Sequence, residues 1–404
     1  MGILPSETRC LRGSRMDSLA SIDNAWLMAE GERIHSFGPM ADCPPDPTAG
    51  EVVDARGAIV IPTFCDSHTH LVWAGDRAGE FIDKINGLSY EEIAARGGGI
   101  LNSADRLNAS SDDELFASAH RRLRQVMALG TGAIEIKSGY GLTLEGELKM
   151  LRVIERLRRA EPSVEIRATF LGAHAVGRAF AGRQSDYVAH IINDMLPEAA
   201  PLSDFVDVFC DRGFFSPAET ASILDAAKQF GLRPKIHANE LDISGGVQVG
   251  VTHDALSVDH LERIGREEIS LLAGSETIAT MLPGASFFLG MPYAPAREAI
   301  KGGCAVALAS DYNPGSSPSG SMPFVMSLAS IKMKLLPEQA LNAVTINGAA
   351  AMGLSDDFGS ITPGKYASFI LFKPYAPSLP YIVHAYTEPT IEAVYLKARK
   401  VGID

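Results

Sequence analysis

The sequence predicts an α/β protein: a (β/α)8 TIM-like barrel with a small β-sandwich domain built from both chain termini. Three observations predict it. Eight short, near-continuous apolar runs rich in β-branched residues recur along the middle of the chain, as expected for parallel strands covered on both faces. Amphipathic helical segments lie between many of them, giving the strand–helix alternation of a barrel. Both ends of the chain lack helical periodicity and read as short strands joined by turns. Residues 1–58 and 356–404 are therefore assigned to one composite β-sandwich, and 59–355 to the barrel. An open doubly wound sheet is the alternative, but no GxGxxG follows a strand.

In order, AWLMAEGERIHSFGP (25–39) and EVVDARGAIVIPTF (51–64) open the chain as short strands with Gly and Asp turns. The eight barrel runs are AIVIPTFCDSHTH (58–70), GAIEIKSGYG (132–141), EIRATFLGAH (165–174), FVDVFCDRG (205–213), RPKIHANE (233–240), ALSVDHL (255–261), TIATMLPGA (277–285) and AVALASDYNPG (305–315). A helix from Ser111 carries a capping box with Glu114 and stops at Gly130. The charged amphipathic stretch 143–162 ends before Pro162, and a third helix has Ser216 as N-cap, Pro217 in its first turn, Glu219 three after the cap and Gly231 beyond its end. GSITPGKYASFILFKP (359–374) reads as a hairpin, and IEAVYLKARKVGI (391–403) as a further run of period-2 character. There is no internal repeat and no low-complexity tract.

Composition excludes several function classes. The 404 residues carry 36 Lys+Arg against 49 Asp+Glu, a net charge of −13, which argues against nucleic acid or an anionic membrane as partner. Hydrophobic residues make up 46% and charged ones 21%, so the chain is not a disordered type. No stretch approaches the roughly 20 apolar residues of a spanning helix, and the N-terminus has no uninterrupted apolar core of a secretory signal. Five widely spaced cysteines without a CxxC fit reduced, buried thiols and a cytoplasmic location.

In a barrel, chemistry sits at the C-terminal ends of the strands. The first strand ends in Asp66-Ser67-His68-Thr69-His70. Histidines two apart on a strand face the same side and can converge on one metal ion. The fifth strand supplies His237 and, three residues on, Glu240, a carboxylate placed to move the protons of a metal-activated water. The sixth ends in Asp259-His260 and the eighth in Asp311, whose charge at a buried strand end calls for a cation or partner. Taken singly, His237 and His260 each also fit a hydrogen-bonded core role. Together His68, His70, His237 and Asp311 offer three nitrogens and one oxygen, a set suited to zinc or iron with one open position. The fourth strand ends without Lys or His, and Lys137 lies on the second, so one metal is expected rather than two. Arg77 suits a carboxylate by its bidentate fork or serves a surface ion pair. Arg96-Gly97-Gly98-Gly99 lets backbone approach a ligand or makes a turn. Tyr140 and His174 follow the second and third strands.

These residues resemble the amidohydrolase superfamily through DSHTH, His237, His260 and Asp311. The narrower motifs HTHLVWAGDRAGEF, SYEEIAARGGGI, IEIKSGYGL, TFLGAHAV, VDVFCDRG, SVDHLE, LPGASFFL, YAPAR, ASDYNPGSSP and TINGAA are similar to its imidazolonepropionase family, from about residue 60 to residue 355. The resemblance implies hydrolysis of the cyclic amide of 4-imidazolone-5-propanoate to N-formimidoyl-L-glutamate, in histidine degradation. It implies one Zn2+ or Fe2+/Fe3+ held by His68, His70, His237 and Asp311. Arg77 would hold the propanoate, while Tyr140, His174, Asn313, Gly315 and Ser316 would line the pocket. Glu240 would contact substrate and, with His260, handle water and protons; Glu240, His260 and Asp311 all stand as catalytic candidates for the base. It further implies a homodimer. The alternatives are a mononuclear-metal deaminase of a nitrogen heterocycle such as cytosine or guanine, a weaker two-metal hydantoinase-like reading, and, from another class, an inactive barrel acting as scaffold.

Overall fold

A computed structural model describes residues 1–44, 50–88, 92 and 98–402. Its centre is an eight-stranded parallel sheet of β1 (Phe64–Asp66), β2 (Thr131–Lys137), β3 (Glu165–Ala173), β4 (Phe205–Cys210), β5 (Arg233–Ala238), β6 (Ser257–His260), β7 (Ile278–Met281) and β8 (Val306–Leu308), neighbours in space following neighbours in sequence. The chain just past β1 and β8 closes the ring. Asp311 N donates to His68 O and His70 N to Tyr312 O, both at 3.0 Å. Asp66 clasps the same seam, accepting from the backbone and the hydroxyl of Ser310. All eight predicted runs thus supply a barrel strand.

Period-2 alternation sorts each strand. Ile134, Ile136, Val206, Val208, Ile236 and Val258 are buried in the main apolar core together with Leu123 and Val126 of helix Asp112–Ala128 and Leu151 and Ile154 of helix Leu144–Ala160. Each such side chain contributes about 1.5–3 kcal/mol on burial. The alternate positions Glu135, Lys137, Asp207, Lys235, His237 and Asp259 are also buried, although they are polar or charged. The capping boxes at Ser111–Glu114 and Ser216–Glu219 form as predicted.

The termini build the second layer. Hairpin Ala25–Glu30/Arg33–Pro39 faces a sheet of Val60–Pro62, Phe369–Phe372, Ile391–Leu396 and Arg399–Lys400. Ile34, Leu27 and Phe37 pack against Phe369 and Ala398 between them. Two details differ from the sequence reading. Residues 359–374 are not a local hairpin: Phe369–Phe372 pairs with Val60–Pro62 and Ile391–Leu396, its partners coming from both ends of the chain. The second difference lies at Thr63, where the chain leaves one sheet for the other. Thr63 N donates to Ser368 O, whereas Phe64 N donates to Gly130 O. Val60–Pro62 therefore joins the terminal sheet rather than the barrel. No helix among the described residues is long and apolar enough to cross a membrane.

Candidate metal centre and active site

Three strand ends bring the four predicted ligand residues together inside the C-terminal mouth of the barrel, and a fourth adds His260. The ligand atoms of His68, His70 and His237 lie within 4.8 Å of one another, as do those of His68, His260 and Asp311. His68 belongs to both groups, so His260 stands as close to the cluster as Asp311 does. Asp311 Oδ1 is 3.6 Å from His68 Nε2 and 3.7 Å from His70 Nε2. All five side chains are buried.

The far side of each imidazole explains its orientation. Asp259 Oδ2 lies 2.6 Å from His68 Nδ1, and Asp207 Oδ2 lies 2.9 Å from His237 Nδ1. A carboxylate behind Nδ1, hydrogen-bonded at His68 and in close ion-pair contact at His237, favours the tautomer that leaves Nε2 with a free lone pair, the usual support of a metal-binding histidine. His68 Nε2 and His237 Nε2 are buried without a hydrogen-bond partner among the described residues. Such orphaned acceptors fit a cation. Burial pushes His68 and His70 well below the usual imidazole range and His237 down to about 3, so the rings are neutral and able to ligate. Ser316 Oγ donates to Asp311 Oδ2 at 3.0 Å, leaving Oδ1 toward the histidines.

Beside this cluster sits an acid–base pair. Glu240 is 3.7 Å from His260 Nε2, and Glu262 is 3.6 Å from its Nδ1. Burial lifts Glu240 to about 7, with Glu262 adding to the lift and His260 opposing it. Burial opposes charge on His260, yet Glu240 and Glu262 outweigh it and raise the imidazole to about 10. Burial likewise raises Asp311 to about 6 against the pull of His260. Asn239, His260, Leu261 and Asp311 all hold positive φ at these strand ends, strain of the kind that a surrounding structure retains at functional positions.

Of the predicted substrate contacts, Arg77 and Gly315 meet. A Cβ on Gly315 would lie 2.1 Å from Arg77 Nη1, so only glycine lets the guanidinium pack there. Glu80 accepts from Arg77 Nε at 2.8 Å. Tyr140 and His174 stand over His70, their ring centroids 5.7 and 5.2 Å from it. His174 Nδ1 bonds Gly139 O, and burial lowers the ring to about 4, so it is neutral. Asn313 spends its amide inside its own loop. Its oxygen accepts from Gly315 N and Ser316 N, and its nitrogen donates to Asp311 O and Ser316 Oγ. Arg96 and Gly97 lie outside the described residues.

Sequence reasoning gave no role to four carboxylates that build the site. Asp207 and Asp259 back His237 and His68. Asp211 accepts from the backbone of Glu240, Leu241 and Asp242 and so holds the loop that presents Glu240. Glu147 does the same for the Tyr140 loop, accepting from Gly139, Gly141 and Leu142. The available signal was an acid inside an otherwise apolar strand, as in FVDVFC.

A parallel barrel with histidines, an aspartate and a glutamate converging at its strand ends defines an amidohydrolase-type enzyme, and residues 211–401 match the Amidohydrolase family. The chain belongs to the imidazolonepropionase family within it. It is 50% identical over 391 residues to imidazolonepropionase of Christiangramia forsetii, covering 96% of this chain and 94% of that protein. It is 53% identical over 386 residues to that of Flavobacterium johnsoniae, covering 95% and 93%. Among solved structures it is similar in fold to a 5-methylcytosine deaminase from Klebsiella pneumoniae, with a TM-score of 0.74 at 15% identity over 95% of this chain and 96% of that one. An adenosine deaminase from Xanthomonas campestris with bound zinc gives 0.68 at 15% identity, over 94% and 88%.

Proposed function

We propose that this chain hydrolyses the cyclic amide C–N bond of 4-imidazolone-5-propanoate to N-formimidoyl-L-glutamate, a step of histidine degradation. The carrying observation is the buried His/Asp cluster beside Glu240 in a chain about half identical, over nearly its whole length, to imidazolonepropionases. His68, His70, His237 and Asp311 hold one zinc or iron ion. When bound, the ion polarises the amide carbonyl and acidifies water.

The chain's own residues do the rest. Arg77 binds the propanoate through its guanidinium, and Tyr140 and His174 bracket the ring. Glu240, ionised above about pH 7, takes a proton from the attacking water. The water oxygen bonds to the ring carbonyl carbon, and protonated His260 stabilises the developing oxyanion. The ring C–N bond then breaks, and Glu240 returns its proton to the leaving nitrogen. Buried free thiols at Cys65, Cys210 and Cys304 support a reducing, cytoplasmic setting.

The test combines metal analysis of the purified protein with an ultraviolet assay of imidazolonepropionate loss. One metal per chain with formimidoylglutamate as product supports the reading. Ammonia release from cytosine or guanine in place of that turnover overturns it in favour of a deaminase. A Glu240→Gln variant should bind metal normally and lose turnover; retained turnover removes Glu240 from the role of base.

A further inference from the structure

Beneath the histidine cluster the barrel holds five charged side chains with no solvent exposure: Glu135 and Lys137 of β2, Asp207 of β4, Lys235 of β5 and Asp259 of β6. Three carboxylates with two ammonium groups are costly to bury unless the geometry serves a purpose. The mechanism above uses none of them directly.

Lys137 is the centre of the arrangement. Its Nζ lies 2.6 Å from Glu135 Oε1, 2.8 Å from Asp207 Oδ2 and 3.5 Å from Asp259 Oδ2. The last two oxygens are the same atoms that face His237 Nδ1 at 2.9 Å and His68 Nδ1 at 2.6 Å. One ammonium group therefore sits between the two carboxylate oxygens that orient two of the metal-facing imidazoles. Lys235 is placed differently: it pairs with Glu135 and donates to Ser67 O at 2.8 Å, and it stands 3.9 Å from Asp259.

We propose that Lys137 is a positioning residue for metal binding, holding Asp207 and Asp259 behind His237 and His68 so that both rings present Nε2 to the ion. The proposal rests on the metal site argued above. Without the Lys137 ammonium, the three carboxylates face one another with Lys235 alone between them. Their repulsion in a low-dielectric interior then moves Asp207 and Asp259 off the Nδ1 atoms, and the two rings lose their common aim. Lys235 reaches only one of the two histidine supports, Asp259, and from farther away (3.9 Å against 3.5 Å), so its loss disturbs their common aim less.

The test is zinc affinity by chelator competition, run on folded wild-type protein and on Lys137→Met, Lys137→Gln and Lys235→Met, with cobalt-loaded visible spectra alongside. Loss of a support behind a metal ligand typically weakens binding about 10- to 100-fold. That loss, with altered cobalt bands, is expected for both Lys137 variants. Lys235→Met, which removes a partner of Asp259 but none of Asp207, should lower the melting temperature and weaken zinc less than either Lys137 variant does. Folded Lys137 variants that bind zinc as tightly as wild type overturn the proposal. So does failure of both to fold, which assigns Lys137 to barrel stability alone. A wild-type protein that binds no zinc or cobalt instead overturns the metal site itself, a distinguishable result.

Discussion

Replacing Asp211 with asparagine should separate the base from the metal. One Asp211 oxygen accepts from Glu240 N and Leu241 N at 2.8 Å each, and the other from Arg212 N at 2.7 Å and Asp242 N at 3.2 Å. Asparagine has one acceptor oxygen, so whichever way its amide turns, its NH2 faces a pair of backbone donors. Two charge-assisted bonds are lost at about 1.5 kcal/mol each, the low end of their range because water reaches the Leu241 side of the loop. The total of about 3 kcal/mol corresponds to roughly a 100-fold fall in kcat/KM if the loop must be re-formed to present Glu240. Metal content should not change, since Asp207 supports His237 through both its backbone N–H and its Nδ1. The assay is steady-state imidazolonepropionate loss on protein of measured metal content. A variant within about threefold of wild type would refute the argument that Asp211 presents Glu240, and a variant short of metal would refute the separation.

Other consequences follow from single contacts. Gly315→Ala drives a methyl into Arg77, and losing one charge-assisted contact to the propanoate should raise KM about tenfold with kcat little changed; steady-state kinetics would show the split. Because Glu240 sits at about 7, kcat/KM should fall about tenfold per pH unit below that value as the base gains its proton. The same raised value costs the folded state stability as pH climbs from about 4.3 toward 7, opposite in sign to a salt-bridged acid; a pH–rate profile flat across that window would remove Glu240 as base. Burial pushes Cys65 up to about 12 and Cys210 and Cys304 up to about 11. A thiol reagent at pH 8 should therefore titrate only the half-buried Cys10 and Cys43 quickly, and the other three on unfolding.

The strands and the residues that cluster at the candidate site were legible because each carries its signal locally. An apolar run ending in HTH, in HANE or in SDYN marks a barrel strand and a functional terminus together. The interior charges were not legible in the same way. Glu135 and Lys137, Lys235 and His237, Ser257 and Asp259 alternate within runs that look apolar overall. Which of them meet depends on the register between strands, such as Asp207 beside Lys235 and His237 beside Asp259. Register is set by the closed barrel, and a single-residue slip would turn every one of these side chains outward. The hairpin expected at 359–374 failed for a related reason: its strand partners lie at Val60–Pro62 and Ile391–Leu396, and no local pattern reports a distant partner.

Register also explains why β4 matters although it ends in no ligand. Asp207 lies within β4 and Asp211, four residues on, just past its end, while His237 and Glu240 are three apart at the exit of β5. Because the two strands run in parallel, the first acid reaches His237 and the second reaches the backbone of Glu240. The FVDVFCDRG run thus places His237 and Glu240, the proposed ligand and the proposed base, through two separate carboxylates. A strand slip or a bulge between Asp207 and Asp211 would move Glu240 relative to His237 without deleting either. Such a change should leave metal bound and turnover lost.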